Sequence, residues 1–151
     1  MLRILVVCTA NICRSPAAQQ FLARALAGHL VEVHSAGTRA IDNHFAHPQI
    51  EQQMVQRGYP DITQHRSTAL MPSQLAKYGL ILCMEQDHLD WIKRASPTSI
   101  GKTKLLGHWD GQAGVLDPIN GPEEGYSQCL DLMDEYCHQW ADKVVSLGLC
   151  S

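Results

Sequence analysis

A chain of 151 residues that is 45% hydrophobic suits one compact domain over residues 1–151, since that length buries about two thirds of the surface its unfolded form exposes. A formal net charge of −3, with 18% charged residues and no run of Lys or Arg, excludes a protein built to neutralise many nucleic-acid phosphates. No stretch approaches the roughly 20 apolar residues that cross a bilayer, and MLRILVVCTA lacks the parts of an export signal. The expectation is a cytoplasmic protein without membrane insertion, whose six cysteines are reduced thiols.

In chain order, Leu2 to Val7 is an apolar run rich in β-branched residues, the pattern of a strand covered on both faces, and it stops at Cys8. Pro16 suits a first helical turn, and Ala18, Phe21, Leu22 and Ala25 recur at helical spacing up to Gly28. Cys8 to Ser15 is then read as a strand-to-helix loop. Val31 to His34 reads as a second strand, closed by SAG, and Pro48 to Arg57 as a helix that Gly58 and Pro60 terminate. Gly79 to Met84 is a third strand, Glu85 to Ala95 a helix, and Thr103 to Leu106 a fourth strand. Tyr126, Cys129, Leu130, Met133, Cys137, Trp140 and Val144 form one stripe of a long C-terminal helix. The seven Asp or Glu between Asp117 and Asp142, with no Lys or Arg among them, predict a solvent-facing acidic surface. Strands alternating with helices predict an α/β fold with a parallel sheet between helical layers.

The first loop is where chemistry is expected. Ligands of open α/β sheets bind at the carboxyl ends of the strands, and a loop leading into a helix offers backbone N–H groups and a positive dipole end to an anion. Arg14 adds a planar two-pronged donor matched to two phosphate oxygens. The same surroundings favour the thiolate of Cys8, making it a nucleophile. A lone Cys ending a buried strand is ordinarily a small core residue. The full Cys-x5-Arg-Ser pattern between a first strand and a first helix reverses that reading. Cys8, Cys13 and the histidines have no second pair with zinc-like spacing, so no metal is expected. His44, His47, His65 and the other histidines are read as surface residues or loop hydrogen-bonders.

CTANICRSP resembles the phosphate-binding loop of the low-molecular-weight protein tyrosine phosphatases, and SAGT, ILCMEQDH, KLLGHW and DP follow in the family's order. The resemblance implies a flavodoxin-like, phosphotyrosine phosphatase I-like domain of three layers, with a four-stranded parallel sheet flanked by helices. It implies a bacterial-type, cofactor-free protein-tyrosine phosphatase, a monomer or weak homodimer acting on a phosphotyrosine-containing protein such as a bacterial tyrosine autokinase. Cys8 falls on the nucleophile, Arg14 on the phosphate-holding arginine and Ser15 on the donor to the nucleophile's sulfur. Thr9, Ala10, Asn11, Ile12 and Cys13 form the rest of the cradle, with Asn11 tying its backbone. Asp117, which Pro118 keeps out of a helix, falls on the general acid needed because a phenol of pKa about 10 leaves poorly as its anion. Cys13 matches the family cysteine that forms a reversible disulfide with the nucleophile and protects it from over-oxidation.

Family members also carry aromatic walls after SAGT and after DP. Here those places read Thr38-Arg39-Ala40-Ile41 and Pro118-Ile119-Asn120, leaving Ile41 and Ile119 as candidate walls, with Phe45 or His44 in support. Three other readings are weighed. An arsenate reductase on this fold needs two further cysteines close together, and Cys83 has no such companion. Protein-arginine phosphatases resemble one another in a Thr after the loop Asn, where this chain has Ile12. A non-catalytic phosphate-binding module needs neither Cys8 nor Asp117. Cys83, Cys129 and Cys137 are assigned to the core, and Cys150 to a loose terminus.

Overall fold

Residues 1–150 are described by a computed structural model. The first aliphatic run forms strand β1 (Leu2–Cys8), whose side chains alternate between two apolar layers. Ile4, Val6 and Cys8 enter one buried cluster, and Leu5 and Val7 enter the other. A strand covered on both faces has no polar alternation to offer, which is why its sequence is continuously apolar. Strand β2 (Val31–Gly37), strand β3 (Leu80–Cys83) and strand β4 (Thr103–Leu105) join it in a parallel sheet of order β2-β1-β3-β4. Cys8 stands opposite Gly37, and Val7 opposite Cys83.

Helix α1 (Arg14–Ala25) and helix α4 (Glu123–Ser146) pack on the face that receives Cys8. Phe21 and Leu22 of α1 are fully buried there, each contributing about 1.5–3 kcal/mol of burial. The whole expected stripe of α4 is buried, and Tyr136 and Ala141 widen it. Helix α2 (Pro48–Gln56) adds Ile50 and Met54 to that layer. Helix α3 (Gln86–Ala95) covers the other face through Ile92. The expected three-layer α/β sandwich is therefore observed.

Two expectations are corrected. Arg14 and Ser15 are the first residues of α1, so the loop proper is only residues 9–13; Pro16 needs no N–H partner in a first turn and does not mark where the turn begins. Short 3-10 helices at Pro60–Gln64, Pro72–Lys77 and Pro97–Lys102 have no counterpart in the sequence reading, because five or six residues opened by proline carry no hydrophobic period. Among the described residues all six cysteines are free, and all but Cys150 are buried. No helix is long and apolar enough to cross a membrane.

Since β2 and β3 lie on opposite sides of β1, the chain direction switches between β1 and β3. That switch point is where open α/β sheets leave a crevice for ligands. Cys8 ends β1 there, and Glu85 follows β3.

Candidate active site

The loop of residues 9–13 is built with its carbonyls turned outward. The Thr38 N–H donates to the Cys8 carbonyl at 3.0 Å, Arg39 N–H to Thr9 at 2.9 Å and His47 N–H to Ile12 at 2.7 Å. His65 Nε2 donates to the Asn11 carbonyl at 2.6 Å. Burial lowers the pKa of His65 even though that carbonyl favours its charged form. By contrast, the N–H groups of Thr9, Ala10, Asn11, Ile12 and Cys13 have no acceptor among the described residues. Asn11 sits at φ 58°, a left-handed residue of the kind that turns successive N–H groups toward one concavity. A side chain at Gly37 would collide with the Thr9 carbonyl and crowd the Asn11 nitrogen, so the glycine of SAG lets β2 close against the loop.

Donor rules fix the direction of the bonds that Asn11 makes beside the sulfur. Thr68 N–H donates to Asn11 Oδ1 at 2.9 Å, so the amide's nitrogen is its other arm. That nitrogen donates to Ser15 Oγ at 2.7 Å and Ser35 Oγ at 3.0 Å. Ser35 in turn donates to Gln19 Oε1 at 2.7 Å. Ser15 Oγ, which accepts from Asn11, lies 2.8 Å from Cys8 Sγ; either atom can donate while Cys8 is a thiol, and only Ser15 can once it is a thiolate. Such a donor stabilises negative charge on sulfur.

Arg14 is almost completely buried, with its side chain 2% exposed. Its Nη1 donates to the Val115 carbonyl at 2.8 Å and to the Glu85 carboxylate. Nη2 has only distant neighbours, Thr9 Oγ1 at 3.5 Å and Asp117 Oδ2 at 3.6 Å. This weakly engaged edge is the one open to an anion. Burial opposes the charge on Arg14, but Cys8, Glu85 and Asp117 outweigh it and raise its pKa. Cys13 ends the same loop, and burial, reinforced by Cys129, Cys8 and Asp117, pushes its thiol far above the usual range.

Cys8, Ala10, Asn11, Ile12, Cys13, Arg14, Asp117 and Ile119 line one small cavity. Asp117 is held on its loop by the Ile119 N–H, which donates to Oδ1 at 3.0 Å. It faces this cavity rather than solvent alone, which corrects its grouping with the outer acidic surface; Asp131, farther along, does lie outside and pairs with Arg57 at 2.7 Å. Of the two candidate walls, Ile119 borders the cavity, whereas Ile41 is 72% exposed and does not. Phe45 is 61% exposed and lies under the Arg66 guanidinium, and His44 is exposed as well. Sequence reasoning gave no role to Glu85 or Ser35, and read His65 and His88 only as surface residues or loop hydrogen-bonders, without naming their partners. The segments SAGT and ILCMEQDH signalled two of these places without saying what they touch.

The site can bind a tetrahedral anion on N–H groups and Arg14, present a sulfur nucleophile from below and a carboxyl from above. Residues 3–147 match the family described as low molecular weight phosphotyrosine protein phosphatase. A putative low molecular weight protein-tyrosine-phosphatase of Klebsiella pneumoniae is 33% identical, over 93% of this chain and 96% of its own length. The tyrosine phosphatase Wzb of Escherichia coli K30, solved in complex with sulphate, superposes with a TM-score of 0.89 at 34% identity, covering 95% of this chain and 99% of that one. The YwlE arginine phosphatase of Geobacillus stearothermophilus also reaches 0.89 at 31% identity, covering 99% and 96%.

Proposed function

This chain belongs to the low molecular weight phosphotyrosine protein phosphatase family, and from that premise we propose that it hydrolyses phosphotyrosine in proteins through a cysteinyl-phosphate formed on Cys8. The supporting observation is the combination of five loop N–H groups without an acceptor among the described residues with a sulfur 2.8 Å from the Ser15 hydroxyl. Cys8 Sγ attacks phosphorus as the tyrosyl oxygen leaves with a proton from Asp117. The weakly bonded edge of Arg14 and the N–H groups of residues 9–13 hold the phosphoryl oxygens as their charge shifts. Asp117 then takes a proton from the water that attacks the cysteinyl-phosphate, and Cys8 departs as thiolate, stabilised by Ser15. Asn11 holds both the loop backbone and Ser15 in place. Residues 1–151 act as one domain in this reading, on a cytoplasmic phosphoprotein such as a tyrosine autokinase.

The similarity to an arginine phosphatase motivates a second reading on the same machinery. Ile12, which borders the cavity, offers an apolar surface suited to a phenyl ring and no hydrogen bond to a guanidinium. Phosphate release from a phosphotyrosyl peptide, run beside a phosphoarginyl peptide and arsenate with Cys8→Ser as control, decides between them. Preferred turnover of phosphotyrosine, lost in the variant, is the expected result; preference for either other substrate would overturn the tyrosine reading.

A further inference from the structure

Two residues whose side chains neighbour Arg14, Glu85 and Thr9, are also tied to a single imidazole, Glu85 through its backbone N–H and Thr9 through its hydroxyl. The Glu85 N–H donates to His88 Nδ1 at 3.1 Å, and His88 Nε2 lies 2.8 Å from Thr9 Oγ1. A backbone N–H only donates, so Nδ1 carries the lone pair and the proton of neutral His88 sits on Nε2. Nε2 therefore donates to Thr9. A closed ring results: Arg14 Nη1 donates to the Glu85 carboxylate, the Glu85 N–H to His88, His88 to Thr9, and Arg14 Nη2, at 3.5 Å, to the same Thr9 hydroxyl. His88 is 3% exposed, so water has little access to replace a lost bond.

We propose that His88 is a positioning residue for the phosphate site, holding Thr9 and the backbone at Glu85, and through them Arg14, by way of one neutral tautomer. The inference rests on reading the Cys8–Arg14 cavity as that site. Protonation at Nδ1 would set a donor against the Glu85 N–H and open the ring. Burial lowers the pKa of His88; Arg14 adds to this, while Glu85, Asp87 and Asp117 oppose it. Arg39, from the loop after β2, and Asp90 and Arg94 of α3 line the same recess as His88. The lowered pKa keeps the ring intact at neutral pH and opens it only as pH falls below the ordinary histidine value of about 6.5.

Sulfate binding measured by calorimetry tests this without turnover, because the charge of sulfate does not change near neutrality. His88→Asn keeps an acceptor for the Glu85 N–H but cannot reach Thr9. His88→Gln reaches Thr9 and does not titrate. The account expects His88→Asn and Thr9→Val each to weaken sulfate about fivefold, the size of one lost hydrogen bond, and His88→Gln to recover most of that loss. The double variant His88→Asn/Thr9→Val loses no more than either single one. Between about pH 7.5 and 5.5 the wild type weakens more than His88→Gln. Thermal melts of the variants separate a local change from unfolding, and the wild-type pH comparison with His88→Gln stands even if His88→Asn is unstable. Wild-type affinity in His88→Asn or Thr9→Val, additive losses, or equal pH responses in wild type and His88→Gln would overturn the proposal. A wild type that binds sulfate but releases no phosphate from phosphotyrosine would sink the activity and leave this result standing; one that binds no sulfate sinks both.

Discussion

The floor and the rim of the cavity are built on opposite principles. On the floor, Asn11 and Ser15 are fully buried and Arg14 nearly so, and the Asn11 amide and Ser15 hydroxyl are bonded to each other and to Ser35, Thr68 and Cys8. On the loops around it, Ile41, Phe45 and Leu116 are 72%, 61% and 78% exposed. A buried polar network has one satisfied arrangement and is costly to disturb, whereas exposed apolar side chains on loops are exchanged at little cost in stability. Substitutions beneath the sulfur are therefore expected to cost far more stability than substitutions on the exposed loops.

The largest break in that contrast comes from the floor's cation. Arg14→Lys keeps the charge but loses the planar fork, and kcat/KM for a phosphotyrosyl peptide is expected to fall about 10²–10³-fold in steady-state assays. A loss under tenfold would place Arg14 outside the phosphate contact. Asn11→Ala removes three side-chain hydrogen bonds and puts alanine at a left-handed position. Denaturant melts should show about 1–3 kcal/mol of lost stability, with a parallel fall in kcat. Unchanged stability would mean the network is not what holds the loop.

Much of this floor is legible in the sequence, for a local reason. Cys8, Arg14 and Ser15 fall within eight consecutive residues, and the apolar runs around them leave few ways to build strands and helices. Glu85, His88, Ser35 and His65 are different, since they reach the loop from residues far along the chain. Parallel register, with Cys8 opposite Gly37 and Val7 opposite Cys83, brings SAGT and the end of β3 to it, and no periodicity in a single sequence encodes that pairing. The rim is least legible. Of the two expected walls, Ile119 is brought to the cavity by the turn at Asp117 and Pro118, whereas Ile41, on the loop after β2, is exposed and does not border it.

Smaller effects sharpen the comparison. Cys13 belongs to the floor, and we expect peroxide to convert Cys8 and Cys13 to a disulfide with release of water, leaving activity recoverable by a thiol reductant. Recovery should drop in Cys13→Ala; equal recovery in both proteins would remove the bridge. The raised pKa of Cys13 predicts that bridge formation is slow at neutral pH and accelerates in alkali, as the buried thiol loses its proton. At the rim, Ile119→Tyr should lower KM for a phosphotyrosyl peptide by about threefold through ring–ring contact, while Ile41→Tyr leaves KM unchanged. An equal response at both positions would dissolve the distinction between them.

The central claim is that Cys8 carries the phosphoryl group and Asp117 moves the proton. The most direct measurement is rapid-quench trapping with labelled p-nitrophenyl phosphate in Asp117→Ala, because that leaving group departs without an acid whereas hydrolysis of the intermediate still wants a base. The account predicts a burst of nitrophenolate and phosphate bound to the peptide containing Cys8, both absent when Cys8 is also replaced by Ser. Steady release without bound phosphate at any time, or label on a peptide lacking Cys8, would contradict it.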